Sequence, residues 1–155
     1  MVGTMGYATY YLMKQVRKIV NSGFTFAGVN FNNVSLRSID LTLFFGIENN
    51  SDISVIVSKQ EYDVFLNGEY IKTIGNPDDV KVRANTDNRV PVRVSLTPAD
   101  LLKVGLNNYD KFLSKQGRRN LVMEVKGNMD VRTDIFSIGR IPFEFKDDVQ
   151  SMMEY

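Results

Sequence analysis

From Phe24 onward the apolar residues recur at every second position, a period that only extended strands with one buried face produce. Leu41, Leu43, Phe45 and Ile47 alternate with Thr42, Phe44, Gly46 and Glu48, and Val90, Val92, Val94 and Leu96 alternate with Pro91, Arg93 and Ser95. Leu121, Met123, Val125, Gly127 and Met129 form a third such row. Phe24 and Phe26 are followed by Val29 and Phe31, a phase slip at Ala27-Gly28 of the kind a β-bulge makes. Tyr62, Val64 and Leu66 run into Asn67-Gly68, the dipeptide suited to a two-residue hairpin, and Tyr70 to Ile74 return from it. Further strands are expected at Ser54 to Val57, Val80 to Ala84 and Ile138 to Lys146, the last with Gly139, Ile141, Phe143 and Phe145 on one face.

Two stretches break this period. Thr97 reads as an N-cap, Pro98 as the first helical residue and Asp100 as the third, near the positive end of the helix dipole. Leu102, Leu106, Tyr109 and Leu113 then form a core-facing stripe, and Gly117 ends the element. Upstream, Ala8, Leu12, Val16 and Ile19 fall at helical spacing, so Tyr7 to Val20 reads as an amphipathic helix closed by Asn21-Ser22-Gly23. The fold class is therefore mainly β: an immunoglobulin-like antiparallel β-sandwich with one covering helix over about 98–113 and an N-terminal amphipathic helix. The organisation expected is an N-terminal helix or arm over 1–22, a sandwich domain over 23–146 and an acidic, apolar-sided tail over 147–155.

Composition removes whole chemistries. The 155 residues include no His, Cys or Trp. Without imidazole or thiolate there is no ordinary zinc site, no haem or iron–sulfur ligation and no Ser-His or Cys-His nucleophile, so no enzyme and no cofactor is expected. At this length the apolar core suffices without metal or disulfide, each fully buried side chain contributing about 1.5 to 3 kcal/mol. With 19 Lys plus Arg against 18 Asp plus Glu, the net charge of +1 indicates no nucleic-acid partner.

The charge is polarised at the ends. Lys14, Arg17 and Lys18 lie in residues 1–22 with no acid, whereas Asp147, Asp148 and Glu154 lie in 147–155 with no base. The uncharged run 1–13 is too short for a span of about 20 residues, and its positive charges follow the run instead of preceding it, so no standard export signal is read. A cytoplasmic location, or one within a virion or other large assembly, is the expectation. The N-terminal helix can lie on a membrane interface, on its own domain or on a neighbour, with the membrane the least favoured.

The run Asn32-Asn33-Val34-Ser35-Leu36, then Ile39-Asp40-Leu41-Thr42-Leu43, Ile47-Glu48-Asn49-Asn50 and Tyr62-Asp63-Val64-Phe65-Leu66-Asn67-Gly68, resembles the late embryogenesis abundant type 2 domain, also called the water stress and hypersensitive response domain. Val92-Arg93-Val94-Ser95-Leu96, Leu101-Leu102 and Val125-Lys126-Gly127-Asn128-Met129 follow in the same order, so the resemblance spans roughly 24–146. It implies a seven-stranded sandwich with one late helix, no catalytic residues, and a non-enzymatic binding or protective role. Asn50 departs from the family's usual Pro, and the lack of Cys excludes the lipobox of lipoprotein members.

Several clusters admit a chemical and a structural reading. Asp78-Asp79 with Asn85, Asp87 and Asn88 could gather oxygens for Ca²⁺, but the spacing lacks the Gly and terminal Glu of an EF-hand loop, so turn formation is favoured and no metal is assigned. Lys111, Lys115, Arg118 and Arg119 could meet phosphate or an acidic partner, or sit as a solvated helix end, which is favoured. Asn33-Val34-Ser35 and Asn49-Asn50-Ser51 match glycosylation acceptors, expected to stay unmodified without export. The residues singled out for partner binding are Tyr7, Tyr10, Tyr11, Leu12, Val16 and Ile19 of the N-terminal helix, and Val149, Met152, Met153 and Tyr155 of the tail. Two roles follow: a structural subunit of a larger protein assembly, a phage virion component for example, held or self-associated through these arms; or a monomeric stress-protective or ligand-contacting domain.

Overall fold

The computed structural model describes residues 10–11, 13–18, 23–35, 37–103, 105 and 110–155. Eight strands follow one another: β1 (Phe24–Val34), β2 (Ile39–Asn49), β3 (Val55–Leu66), β4 (Glu69–Asn76), β5 (Val80–Val82), β6 (Thr86–Leu96), β7 (Val122–Arg132) and β8 (Ser137–Asp148). Three five-residue helices are set among them: α1 (Pro98–Leu102), α2 (Lys115–Arg119) and α3 (Val149–Met153). One sheet has the order β1-β2-β6; the other has β4-β3-β7-β8, with β5 also paired to β3. Every pairing is antiparallel, as the alternating pattern requires of sheets with one wet face. The family resemblance implied seven strands; the described residues form eight, among them the three-residue β5.

The period-two rows are the inner faces. Leu41, Leu43, Phe45 and Ile47 of β2 meet Tyr62, Val64 and Leu66 of β3 and Met123, Val125 and Met129 of β7, all buried. At the centre Phe45 stacks on Tyr62 with centroids 4.5 Å apart, and Phe143 stands edge-on to both. The Tyr62 hydroxyl donates to Gln60 Oε1 at 2.9 Å, and burial holds the phenol far above its ordinary range.

The slip at Ala27-Gly28 is a bulge, where the β1–β2 register shifts between Phe26 and Gly28 and Gly28 takes φ +132°. Asn67 and Gly68 carry φ of 49° and 83°, the doubly positive geometry of a two-residue hairpin. Ser54 to Val57 and Tyr62 to Leu66, expected as separate strands, are one: β3 runs through a second bulge at Lys59, φ 50°, where its register against β7 shifts between Ser58 and Glu61.

The covering helix differs from expectation. Thr97 and Asp100 do form a reciprocal cap, with Thr97 Oγ1 accepting from the Asp100 N–H and Asp100 Oδ2 from the Thr97 N–H. The helix nonetheless stops at Leu102, and Gly105 at φ +91° is not helical. A single turn presents one side chain inward, so Leu101 is buried while Leu102 is 60% exposed. Further on, Phe112 enters the core edge-on to Phe31 and Leu113 faces solvent, the reverse of the expected stripe; Leu106 and Tyr109 lie outside the described residues. Gly117 does not end a helix but sits inside α2, where a Cβ would come within 2.5 Å of the Lys111 carbonyl oxygen.

Gly127 lies opposite Tyr62 in the register. A Cβ there would fall 2.0 Å from the Glu61 carbonyl oxygen and 2.8 Å from Tyr62 Cα, both backbone atoms that cannot yield without moving β3. Gly127→Ala is expected to cost about 3 kcal/mol of unfolding free energy, read from urea denaturation midpoints, because it forces apart the strand pair that carries the central ring stack.

Candidate contact surfaces

The N-terminal segment, helical over 13–18, is seated on its own domain. Gln15 is buried, and its Oε1 accepts from the Asp52 N–H at 2.7 Å; the Tyr11 hydroxyl donates to Asp52 Oδ2 at 3.4 Å. Val16 is half-buried and Tyr10 is 65% exposed. Tyr7, Leu12 and Ile19 lie outside the described residues. Sequence reasoning missed Gln15, the anchoring residue, because a polar side chain beside an apolar stripe carries no periodic signal.

The loop that receives this segment is shaped by Asn49. Its buried Nδ2 reaches the carbonyls of Ile53, Val82 and Arg83 at 2.9, 3.1 and 3.2 Å, and its Oδ1 accepts from the Ser51 N–H and hydroxyl. This network stiffens the turn without the proline that Asn50 replaces. Of the two glycosylation acceptors, the Asn49 amide is 1% exposed and fully engaged, whereas Asn33 is exposed.

At the other end β8 runs on to Asp148, which pairs with Val122, so the sandwich does not finish at 146. Asp148 then caps α3 through Oδ1 and the Ser151 N–H at 2.9 Å. Val149 and Met152 are fully buried in the chain's own core and Met153 packs partly buried against it. As partner contacts Val149 and Met152 are therefore corrected: apolar side chains this close to an open flank are consumed in closing it. That flank lies between the edge strands β1 and β8, where Phe26 stacks on Phe145 at 4.3 Å and the Tyr155 ring stands edge-on to both. Tyr155 keeps 54% of its surface exposed and donates its hydroxyl to Asp147 Oδ2. Burial, that hydrogen bond and the charges of Asp147 and Asp148 push its phenol up to about 12. The C-terminal segment packs over the Gly28 bulge, where a Cβ would meet the Met152 carbonyl oxygen and Tyr155 Cβ at ordinary contact distance and glycine is favoured by its φ of +132°.

The acidic tail also answers the basic cluster. Arg118 donates to Gln150 Oε1 at 2.7 Å and to the Phe112 carbonyl, and Arg119 pairs with Glu154 at 3.4 Å. The oxygens once grouped for Ca²⁺ are dispersed: Asp79 pairs with Arg132, Asn76 Oδ1 accepts from the Asp78 N–H as an Asx turn, and the Asn85 amide donates to Asp52. Among the described residues no group of three or more carboxylates converges on a metal position.

Two kinds of surface remain. A polar depression at the Lys59 bulge is lined by Lys59, Gln60, Glu61, Asn76, Asp79 and Arg140, and its charges are mostly spent on one another, Arg140 and Lys59 on Asp130 and Arg132 on Asp79. Two buried atoms beside this bulge, Gln60 Nε2 and Asn128 Oδ1, have no partner. The outer face of the three-stranded sheet carries two more depressions: one lined by Thr25, Gly46, Glu48, Asp87, Asn88 and Arg89, the other by Asn32, Asp40, Arg93 and Ser95. In the last of these the Ser95 hydroxyl donates to Asp40 Oδ1 at 2.7 Å.

The molecule is an antiparallel β-sandwich whose β1–β8 side is closed by its own C-terminal segment. Residues 44–147 match the family model LEA_2, late embryogenesis abundant protein, and the chain belongs to that family. No curated protein sequence matches the chain. Among solved structures, a protein from Archaeoglobus fulgidus is similar at 12% identity and TM-score 0.50, covering 80% of this chain and 97% of its own. An X-ray structure of a structural-genomics target is similar at 8% identity and TM-score 0.52, over 84% of this chain and 90% of that one. A Bacteroides uniformis β-glucuronidase matches 82% of this chain with 13% of its own length, at 9% identity and TM-score 0.47.

Two outcomes test the terminal seats. Asn49→Ala should destabilise the chain by about 3 kcal/mol in denaturant, since three carbonyls lose their shared donor. Asp148 is held below the usual carboxylate range, first by the Ser151 hydroxyl, against the opposing effect of burial, and further by the Ser151 N–H, Arg119 and Asp147. Its charged form therefore adds stability above the ordinary carboxylate pKa, and that increment vanishes as pH falls through the depressed value. Asp148→Asn, which keeps the cap but not the charge, should show a shallower loss of melting temperature between neutral and acid pH than the parent.

Proposed function

We propose that this chain is a non-enzymatic contact domain of the water stress and hypersensitive response kind, working as a self-contained unit. The observation that carries this reading is that both terminal segments are seated on the chain's own sandwich, Gln15 on Asp52 and Val149 with Met152 in the core. An assembly subunit held by its arms, in a virion for example, would need those side chains free, so the protective or ligand-contacting monomer is the better supported of the two roles. The missing imidazole and thiol and the membership in LEA_2, a family without established catalytic residues, support contact over catalysis. Among the described residues no helix is long and apolar enough to cross a membrane.

The experiment has two parts. The full chain should elute as a monomer by light scattering at high protein concentration, and deletion after Lys146 should produce aggregation, because it uncovers Phe26 and Phe145. A concentration-dependent oligomer of the full chain that the deletion abolishes would return the argument to the assembly. In drying and rewetting, the full chain should keep a labile enzyme active better than an equal mass of serum albumin; equal protection would remove the protective role.

A further inference from the structure

We propose that the outer face of the three-stranded sheet binds a neutral polyhydroxyl chain, an oligosaccharide laid along β2. This inference deepens the contact-domain reading and names its ligand class.

The two outer faces of the sandwich handle their polar groups differently. On the five-stranded sheet the charges are knitted together: Lys126 with Glu124 and Glu144, Lys146 with Glu124, and Arg140 and Lys59 with Asp130. That is a face finished for water. On the three-stranded sheet Asp40, Glu48, Asp87, Arg89 and Arg93 sit within the span of a few strand residues, yet none of them makes an ion pair. Asp40 accepts from the Ser38 and Ser95 hydroxyls and Glu48 from the Asn50 amide, while the Asp87 and Arg93 side chains make no hydrogen bond among the described residues, so acceptors and donors both remain available there.

The register arranges these groups in rows. Asn30, Thr42 and Arg93 form one row, Thr25, Gly46 and Arg89 another, and Asp40 and Ser95 a third, with Glu48 opposite Asp87 at the far end. Between them lies an aromatic step: Phe44 flanked by Pro91 on one strand and by Gly28, which has no side chain, on the other. The Arg89 guanidinium lies 4.8 Å above the Phe44 ring and is fixed by the Ala27 carbonyl at 3.1 Å, so its remaining N–H groups are pre-oriented at the surface. Gly46 keeps one depression open, since a Cβ would meet Thr25 Oγ1 at 2.6 Å. The depressions, of about 250 and 510 Å³, lie at opposite ends of the face. From Asp40 to Glu48 the strand covers roughly 27 Å, the reach of a chain of rings and not of one ring.

The charge decides among ligands. Two cations and three anions interleaved along the strip offer no continuous field to a polyanion or to an anionic bilayer. Alternating donors and acceptors beside a ring and a proline match a ligand whose hydroxyls both donate and accept and whose C–H faces stack.

Affinity electrophoresis of the full chain tests this, with gels containing a mixed-linkage β-glucan, a mannan, a xylan or, as the polyanion, dextran sulfate. At least one neutral polymer should retard the parent protein, and Arg93→Ala should weaken that retardation roughly tenfold or more. Lys146→Ala, on the opposite face, should leave it unchanged. Arg93 is exposed, so its replacement leaves the core intact, and circular dichroism verifies that. In solution NMR the retarding oligosaccharide should shift the amides of Asn30, Thr42, Arg93 and Ser95. No retardation by any neutral polymer, retardation by dextran sulfate alone, or equal retardation of the parent and Arg93→Ala would overturn the proposal. None of these results would alter the monomer and drying measurements, so the two readings fail separately.

Discussion

The stack of Phe45 on Tyr62, with Phe143 edge-on to both, is the joint on which the sandwich turns. It couples the middle strand of one sheet to β3 and the edge strand β8 of the other, and it works only because β7, between those two, offers no side chain at Gly127, against which the Tyr62 ring lies. A ring this large between sheets separated by about 10 Å needs such a gap. The hydroxyl it carries into the core is then held by Gln60, whose own Nε2 is left without a partner. A tightly constrained point of the core thus also holds an unsatisfied donor.

Closure of the flanks follows from the same geometry. A two-sheet stack has open sides between its edge strands, and here one side would expose the Phe26–Phe145 pair. The chain spends its C-terminal segment on that gap, packing it beside the β1 bulge at Gly28. The N-terminal segment is used on a loop instead, through one buried glutamine, which is a lighter attachment than two fully buried apolar side chains.

Much of this was legible in the sequence because strands with one buried face write their pairing into a two-residue period. The rows at 41–47, 90–96 and 121–129, the slip at Ala27-Gly28 and the Asn67-Gly68 turn all rest on local chemistry that a one-dimensional pattern carries. The helical stretch after Thr97 misled for a physical reason: its cap is local and was read correctly, but its length depends on where Leu101 and Phe112 meet the sandwich, which no spacing encodes. The tail misled similarly. Apolar residues near a terminus look the same whether they cover a partner or the chain's own flank.

Alternation and turn chemistry alone determined that this chain is a two-layer antiparallel sandwich, since those preferences are settled between residues a few positions apart. Only the tertiary structure decided that Val149 and Met152 belong to the core, that Arg119 meets Glu154, and that one outer face ion-pairs its charges while the other does not. Those outcomes depend on which strands become neighbours after folding, and residues thirty to sixty positions apart carry no mark of that in their order.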